Sequence, residues 1–201
     1  MRLPARAYDR QLPLERQALA AAVQLSDAGP GDRLLDVATG TGGLLRELAR
    51  GEHWPAEVVG IDRRASALAV AQARLPARWQ PMLGDARRLP FAAESFDIVT
   101  ACYLLHLLDP VDRRKVLAGI ARVLRPGGRV VTVTLHSRNA ASAAALGLLP
   151  RSSGLRPLDP VDELAAAGFV PLRARFMTTG WPSLCVLAGS APPTTLSGRQ
   201  S

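Results

Sequence analysis

Lysine is almost absent from this 201-residue chain: Lys115 is the only one, so arginine carries nearly all the positive charge behind a formal net charge of +8. The arginines, among them Arg33, Arg50, Arg74, Arg113 and Arg156, are scattered and have no aromatic residues interleaved. That is not how a nucleic-acid or anionic-lipid footprint is written, and a merely basic surface is the simpler reading. Cysteine is equally scarce. Cys102 and Cys185 are the whole complement and have neither metal-ligand nor redox spacing, so no metal is expected and both should be reduced intracellular thiols. Long apolar runs are missing too: none approaches the ~20 residues that span a bilayer, and Met1-Arg2-Leu3-Pro4-Ala5-Arg6 leads into no signal-like core. A cytoplasmic protein with no transmembrane segment is expected. There are no internal repeats.

What is present is a globular profile, 48% apolar and 21% charged, at a length that suits one domain with a sizeable core. Strand-like runs recur at 33–38, 57–62, a weaker 79–83, 96–101 and 129–135. Helical patterns separate them at 44–50, 65–74 and 111–124, and an earlier one over 12–28 is stopped by Gly29-Pro30-Gly31. Strand–helix alternation with β-branched runs predicts an α/β fold with a parallel, doubly wound sheet. The ending departs from this rhythm. A helix over 159–167 is followed by strands at 169–177 and 183–188, and a link that short forces the two to pair antiparallel. The chain is thus read as a helical segment over 1–30, one domain over 31–189, and a polar, Pro-rich, disordered tail from 190 to 201.

At the start of the 31–189 domain, Leu34-Leu35-Asp36-Val37-Ala38-Thr39-Gly40-Thr41-Gly42-Gly43-Leu44 reads as a buried strand, a glycine-rich turn and a helix. Such a loop at the carboxyl end of a strand serves a nucleotide-like ligand, because the glycines let it approach the backbone. A dinucleotide fingerprint would need a third glycine where Leu45 stands. Asp36 is also misplaced for a pyrophosphate and better suits a ligand bearing positive charge.

Five motifs in order then resemble a known family. They are Leu35-Asp36-Val37-Ala38-Thr39-Gly40-Thr41-Gly42, Val59-Gly60-Ile61-Asp62, Gly84-Asp85-Ala86-Arg87-Arg88-Leu89-Pro90-Phe91, Ser95-Phe96-Asp97-Ile98-Val99 and Arg122-Val123-Leu124-Arg125-Pro126-Gly127-Gly128. The set, spanning roughly residues 33–135, resembles class I S-adenosylmethionine-dependent methyltransferases of the ubiquinone/menaquinone-biosynthesis (type 11) kind. The resemblance implies a Rossmann-like domain with a seven-stranded, mostly parallel sheet ending in an antiparallel strand. It also implies S-adenosyl-L-methionine as cofactor. Asp36 would stabilise the cationic methionine end, and Ala38, Gly40, Thr41 and Gly42 would lie against the cofactor. Asp62, with two acceptor oxygens, would match the ribose diol, and Arg63 would cover the adenine. Gly84, Asp85 and Ala86 would hold the adenine edge, and Ala101 and Cys102 would line the methionine arm. Plainer readings stand beside these: Asp62 as a helix N-cap, Gly84-Asp85 as a turn, Cys102 as a small buried hydrophobe. Gly43 departs from the family, which commonly has an acid there.

The acceptor should sit above the carboxyl ends of the fourth and fifth strands, where Tyr103, His106 and His136 fall. The two histidines are the candidate bases, needed only when the nucleophile carries a proton that must leave. Ala7-Tyr8-Asp9 resembles the Tyr-Asp pair with which many such enzymes open, making Tyr8 a cofactor candidate under a helix folded over the site. Residues 137–151 read as a connecting helix or as a lid over an apolar acceptor. The Asn-Pro-Pro-aromatic motif of many amino-methylating nucleic-acid enzymes is missing; Ala101-Cys102-Tyr103-Leu104 stands in its place. The expected acceptor is a small, apolar molecule such as a quinone precursor, a phospholipid headgroup or a secondary metabolite. An RNA methyltransferase and a non-catalytic cofactor-binding partner protein are the alternatives. Oligomeric state is left open.

Overall fold

A computed structural model describes residues 12–136 and 157–190. Tyr8, the 137–151 segment and the tail beyond Ser190 lie outside the described residues. The elements are α1 (Leu12–Ser26), β1 (Arg33–Val37), α2 (Gly43–Leu48), β2 (Glu57–Asp62), α3 (Ala65–Gln72), β3 (Gln80–Leu83), β4 (Phe96–Cys102), a 3₁₀ turn (Leu105–Leu107), α4 (Pro110–Val123), β5 (Leu124–Leu135), α5 (Val161–Ala166), β6 (Phe169–Met177) and β7 (Ser183–Ser190).

Seven strands form one sheet in the order β3-β2-β1-β4-β5-β7-β6. The first five are parallel, and β7 runs antiparallel to both neighbours. This is the doubly wound, Rossmann-like arrangement with an antiparallel end that the sequence predicts. It brings the carboxyl ends of β1, β2, β4 and β5 to one edge, together with Ser183 at the start of β7, which pairs with Leu135.

The β-branched strands feed two apolar layers. On one face Val37, Ile61, Phe96, Val99 and Val130 pack with Val116, Leu117, Ile120 and Val123 of α4 and Leu164 of α5. On the other, Leu34, Val58, Ile98, Val131, Val133 and Cys185 pack with Ala18, Leu19, Ala22 and Leu25 of α1, Leu44, Leu45 and Leu48 of α2, and Ala71 of α3. The described part of the 1–30 segment is therefore a full member of one helical layer. Helix α4 starts as its sequence directs: Asp109 accepts from the Asp112 amide at 2.9 Å and Pro110 takes the first turn.

Two boundaries differ instructively from the expected ones. The first strand stops at Val37, because Ala38 turns into the left-handed region at φ 63. The fifth starts at Leu124, not 129: Leu124 pairs with Phe96 and Arg129 with Ile98, so Arg125-Pro126-Gly127-Gly128 bulges out of a continuing strand. A Cβ on Gly128 would meet the backbone oxygens of Arg125 and Asp97 at 2.9 and 3.0 Å, so the bulge closes only around glycine.

Candidate active site

The glycine loop is shaped by three left-handed residues, Ala38 (φ 63), Gly40 (φ 57) and Gly42 (φ 81). Alanine there is strained, since only glycine enters that region without a Cβ penalty. Two backbone bonds hold the turn: the Thr39 amide donates to the Ile61 carbonyl at 3.0 Å, and the Gly42 amide to the Thr39 carbonyl at 2.9 Å. Gly42 then caps α2. Thr41 is buried within this turn.

Asp36, at the end of β1, is 2% exposed and accepts from Thr100 Oγ1 of β4 at 2.7 Å. Burial raises its pKa to about 6, with the charge of Asp62 adding to the rise and the Thr100 bond opposing it. Through that bond the Asp36 side chain is engaged with the neighbouring strand β4.

Asp62 ends β2. Its Oδ2 accepts from the Gly40 amide at 3.0 Å and its Oδ1 from the Arg64 amide at 2.8 Å. Arg64 itself occupies the N-cap of α3, so Asp62 latches the glycine loop instead of capping the helix. Arg64 Nε also lies 3.6 Å from Oδ1. Arg63 is exposed beside it.

At the end of β3 the Gly84 amide donates to the Asp62 carbonyl at 3.0 Å. Asp85 accepts the Arg87 amide at 3.0 Å, and both its oxygens accept the Arg87 guanidinium, at 2.6 Å for Nη2 on Oδ2. These bonds from Arg87 lower the Asp85 pKa to about 2. Arg87 continues to Asp112 at 2.9 Å, tying this corner to α4. The sequence reading passed over Arg87; an arginine two residues past the acid was the signal. Ala86 is half-buried against the α4 layer.

At the end of β4, Ala101 is fully buried. Cys102 is half-buried; burial, then the nearby Asp36, pushes its thiol well above the usual range. Tyr103 bends left-handed (φ 56). Ser183 Oγ donates to the Trp181 carbonyl at 2.8 Å, so Tyr103 Oη is the donor in its 2.9 Å bond to Ser183 Oγ.

The two candidate bases separate. His106, 3% exposed on the 3₁₀ turn, accepts at Nδ1 from the Leu135 amide at 3.5 Å, and burial lowers its pKa to about 4. It is a neutral imidazole braced against β5. His136 follows β5, its amide on the Pro182 carbonyl at 2.9 Å and its ring centroid 5.2 Å from that of Phe176.

One residue was missed altogether. Glu15, in the first turn of α1, is 8% exposed, and burial raises its pKa to about 7. Its charge also acts on Cys102 and Tyr103. The signal was in the spacing: Glu15 sits on the stripe of Ala18, Leu19 and Ala22, where an apolar residue belongs.

A sheet with a glycine loop, paired acids after β1 and β2, and an antiparallel end is the frame of a nucleoside-binding transferase. A methyltransferase domain model matches residues 34–128. The chain is 32% identical over 177 residues, 76% of its own length and 74% of the relative's, to a demethylmenaquinone methyltransferase of Mycolicibacterium paratuberculosis. It is 38% identical over 132 residues to a 2-phytyl-1,4-naphtoquinone methyltransferase of Synechocystis, covering 62% of this chain and 54% of that one. The chain thus spans between about half and three quarters of these two relatives. An S-adenosylmethionine-dependent methyltransferase from Mesorhizobium loti shares the fold, with a TM-score of 0.66 and 22% identity over 88% of this chain and 97% of that one. This chain belongs to the S-adenosylmethionine-dependent methyltransferases. Among the described residues no helix is long and apolar enough to cross a membrane, and no His, Cys, Asp and Glu residues group as metal ligands.

Proposed function

We propose that this protein methylates a small, apolar, quinone-like acceptor, with S-adenosyl-L-methionine as donor. The observation that carries the acceptor class is the match to a demethylmenaquinone methyltransferase across 74% of that protein's length. The donor fits what the site offers. Gly40 and Gly42 put no side chain on the loop, the Asp62 carboxylate lies beside it, and a buried Asp36 gains from a positively charged neighbour. When bound, the cofactor supplies an electrophilic methyl group on sulfur.

The chain's own residues do the rest. Asp62 fixes the ribose while it holds the glycine loop, and the Asp85–Ala86 corner, stiffened by Arg87, receives the adenine with Gly84 and Arg63. Loop residues Ala38 to Gly42 and the β4 end at Ala101 and Cys102 flank the methionine arm. Alignment of acceptor and methyl supplies most of the rate, because an in-line displacement needs proximity above all. His136 and Phe176, their ring centroids 5.2 Å apart, form an aromatic wall beyond β5 that suits a flat apolar ring. Where the acceptor atom carries a proton, His136 removes it; His106 keeps the wall in place as a neutral brace.

Calorimetric titration with S-adenosylhomocysteine, followed by transfer of isotopically labelled methyl to a demethylated naphthoquinol, tests this. Binding with transfer to the quinol is expected, and His136→Ala should slow transfer while leaving S-adenosylhomocysteine affinity unchanged. Transfer to RNA and not to the quinol would overturn the acceptor class.

A further inference from the structure

Among the described residues three carboxylates are buried: Glu15, Asp36 and Asp62. Asp36 has Thr100, and Asp62 has the Gly40 and Arg64 amides. Glu15 has no hydrogen bond or ion pair with another described residue. A buried carboxylate left so is costly unless a cation or N–H donors reach it, and the fold keeps it all the same.

Its position is fixed from three sides. The Trp181 amide donates to the Leu14 carbonyl at 3.1 Å, docking the first turn of α1 on the β6–β7 turn. Arg16 lies 3.9 Å from Glu47, tying that turn to α2, the helix that the glycine loop opens. The charge of Glu15 is felt by Cys102 and Tyr103 at the end of β4. Glu15 thus lies between the glycine-loop helix and the β4 end, the two elements assigned above to the methionine arm. That arm ends in an α-ammonium group, a compact cation with three N–H donors.

We propose that Glu15 receives the α-ammonium group of the cofactor's methionine arm. This rests on the reading of the site as an S-adenosylmethionine site and adds a contact from outside its sequence motifs. It also gives α1 a role in ligand recognition besides its part in the core. Binding then makes this buried acid, which has no partner among the described residues, half of a charge-assisted pair. Because the carboxyl titrates near neutrality without a ligand, pairing releases a proton there.

Other groups face the same space. Cys102, Tyr103 and Cys185 are all pushed far above neutrality, Cys185 to about 12. His106 is lowered to about 4, and Asp36, near 6, titrates closest to Glu15. Arg16 and Glu47 form the adjoining ion pair.

The test compares two ligands on the full chain by calorimetry: S-adenosylhomocysteine, which carries the ammonium, and 5′-methylthioadenosine, which keeps adenine and ribose and lacks it. Glu15→Gln should weaken S-adenosylhomocysteine at least ten-fold at pH 8 and leave 5′-methylthioadenosine within two-fold. In the wild type, titrations near pH 6.8 in buffers of different ionisation enthalpy should show proton release with the first ligand and none with the second. That arm needs no variant to fold, and in Glu15→Gln the release should vanish, which separates Glu15 from Asp36. Equal loss of both ligands, unchanged affinity for both, or no proton release in the wild type overturns the assignment while leaving the cofactor reading intact. No binding of S-adenosylhomocysteine by the wild type overturns that reading, and the assignment with it.

Discussion

The two halves of the sheet are built on opposite terms. In β3-β2-β1-β4 every acid that ends a strand is already engaged: Asp36 by Thr100, Asp62 by Gly40 and Arg64, Asp85 by Arg87. The half made of β5, β7 and β6 is looser at its rim. The edge strand β6 is exposed on both faces: its register puts Val170, Arg173 and Arg175 on one and Phe176 on the other, with exposed Leu172 in a bulge between them. The first half is pre-organised for a ligand of fixed shape, because hydrogen bonds set before binding need not be formed at its expense. The second offers apolar area and few fixed bonds, which suits acceptors that differ between relatives.

Breaking the pre-organised half should cost most. Asp62→Ala removes the acceptor of two loop amides and, on the proposed reading, the ribose acceptors with it, so S-adenosylhomocysteine affinity should fall by more than about 100-fold and stability by about 2 kcal/mol, read by calorimetry and urea melts. Next comes Glu15→Gln, without ligand. Its folded-state pKa of about 7 lies above the ordinary 4.5, so its contribution is full below pH 4.5 and lost as pH rises to 7. At pH 8 the glutamine variant should be the more stable by up to about 3 kcal/mol, with the gap closing below pH 5. The comparison must be made between variants, because His106, lowered to about 4, has the opposite sign and destabilises the wild type as pH falls below 6.5. Thr100→Val should cost about 1–2 kcal/mol and raise the Asp36 pKa further, seen as a shifted carboxyl titration by NMR. The smallest effect belongs to the loose half: Leu172→Ser on exposed β6 should change stability by less than about 0.5 kcal/mol. A large loss there would show that β6 is covered in solution.

The same division decided what could be read in advance. Asp36, Gly40, Gly42 and Asp62 could be singled out as candidates because a ligand lying against backbone would demand particular residues at particular spacings. The parallel, doubly wound sheet followed from the alternation of elements, and the antiparallel pairing of β6 and β7 from the short link between them. The Pro126-Gly127-Gly128 bulge fell outside the strand expected at 129–135, because local sequence shows a chain reversal and a bulge in the same residues; only pairing to Phe96 tells them apart. His106 was read as a candidate base, since its solvent access is set by β5, far away in sequence. Glu15 was invisible for a related reason. An acid in a first helical turn is ordinary until the helix is seen to be packed on that side.

One contact has a consequence for how such proteins diversify. A side chain on Gly180 would run into the Leu14 carbonyl, and Trp181 bonds that same carbonyl. The last hairpin and the first helix are therefore parts of one joint, although they stand at opposite ends of the chain. A chimera that takes its terminal hairpin from one relative must take its opening helix from the same parent, or Glu15 will arrive at the wrong height.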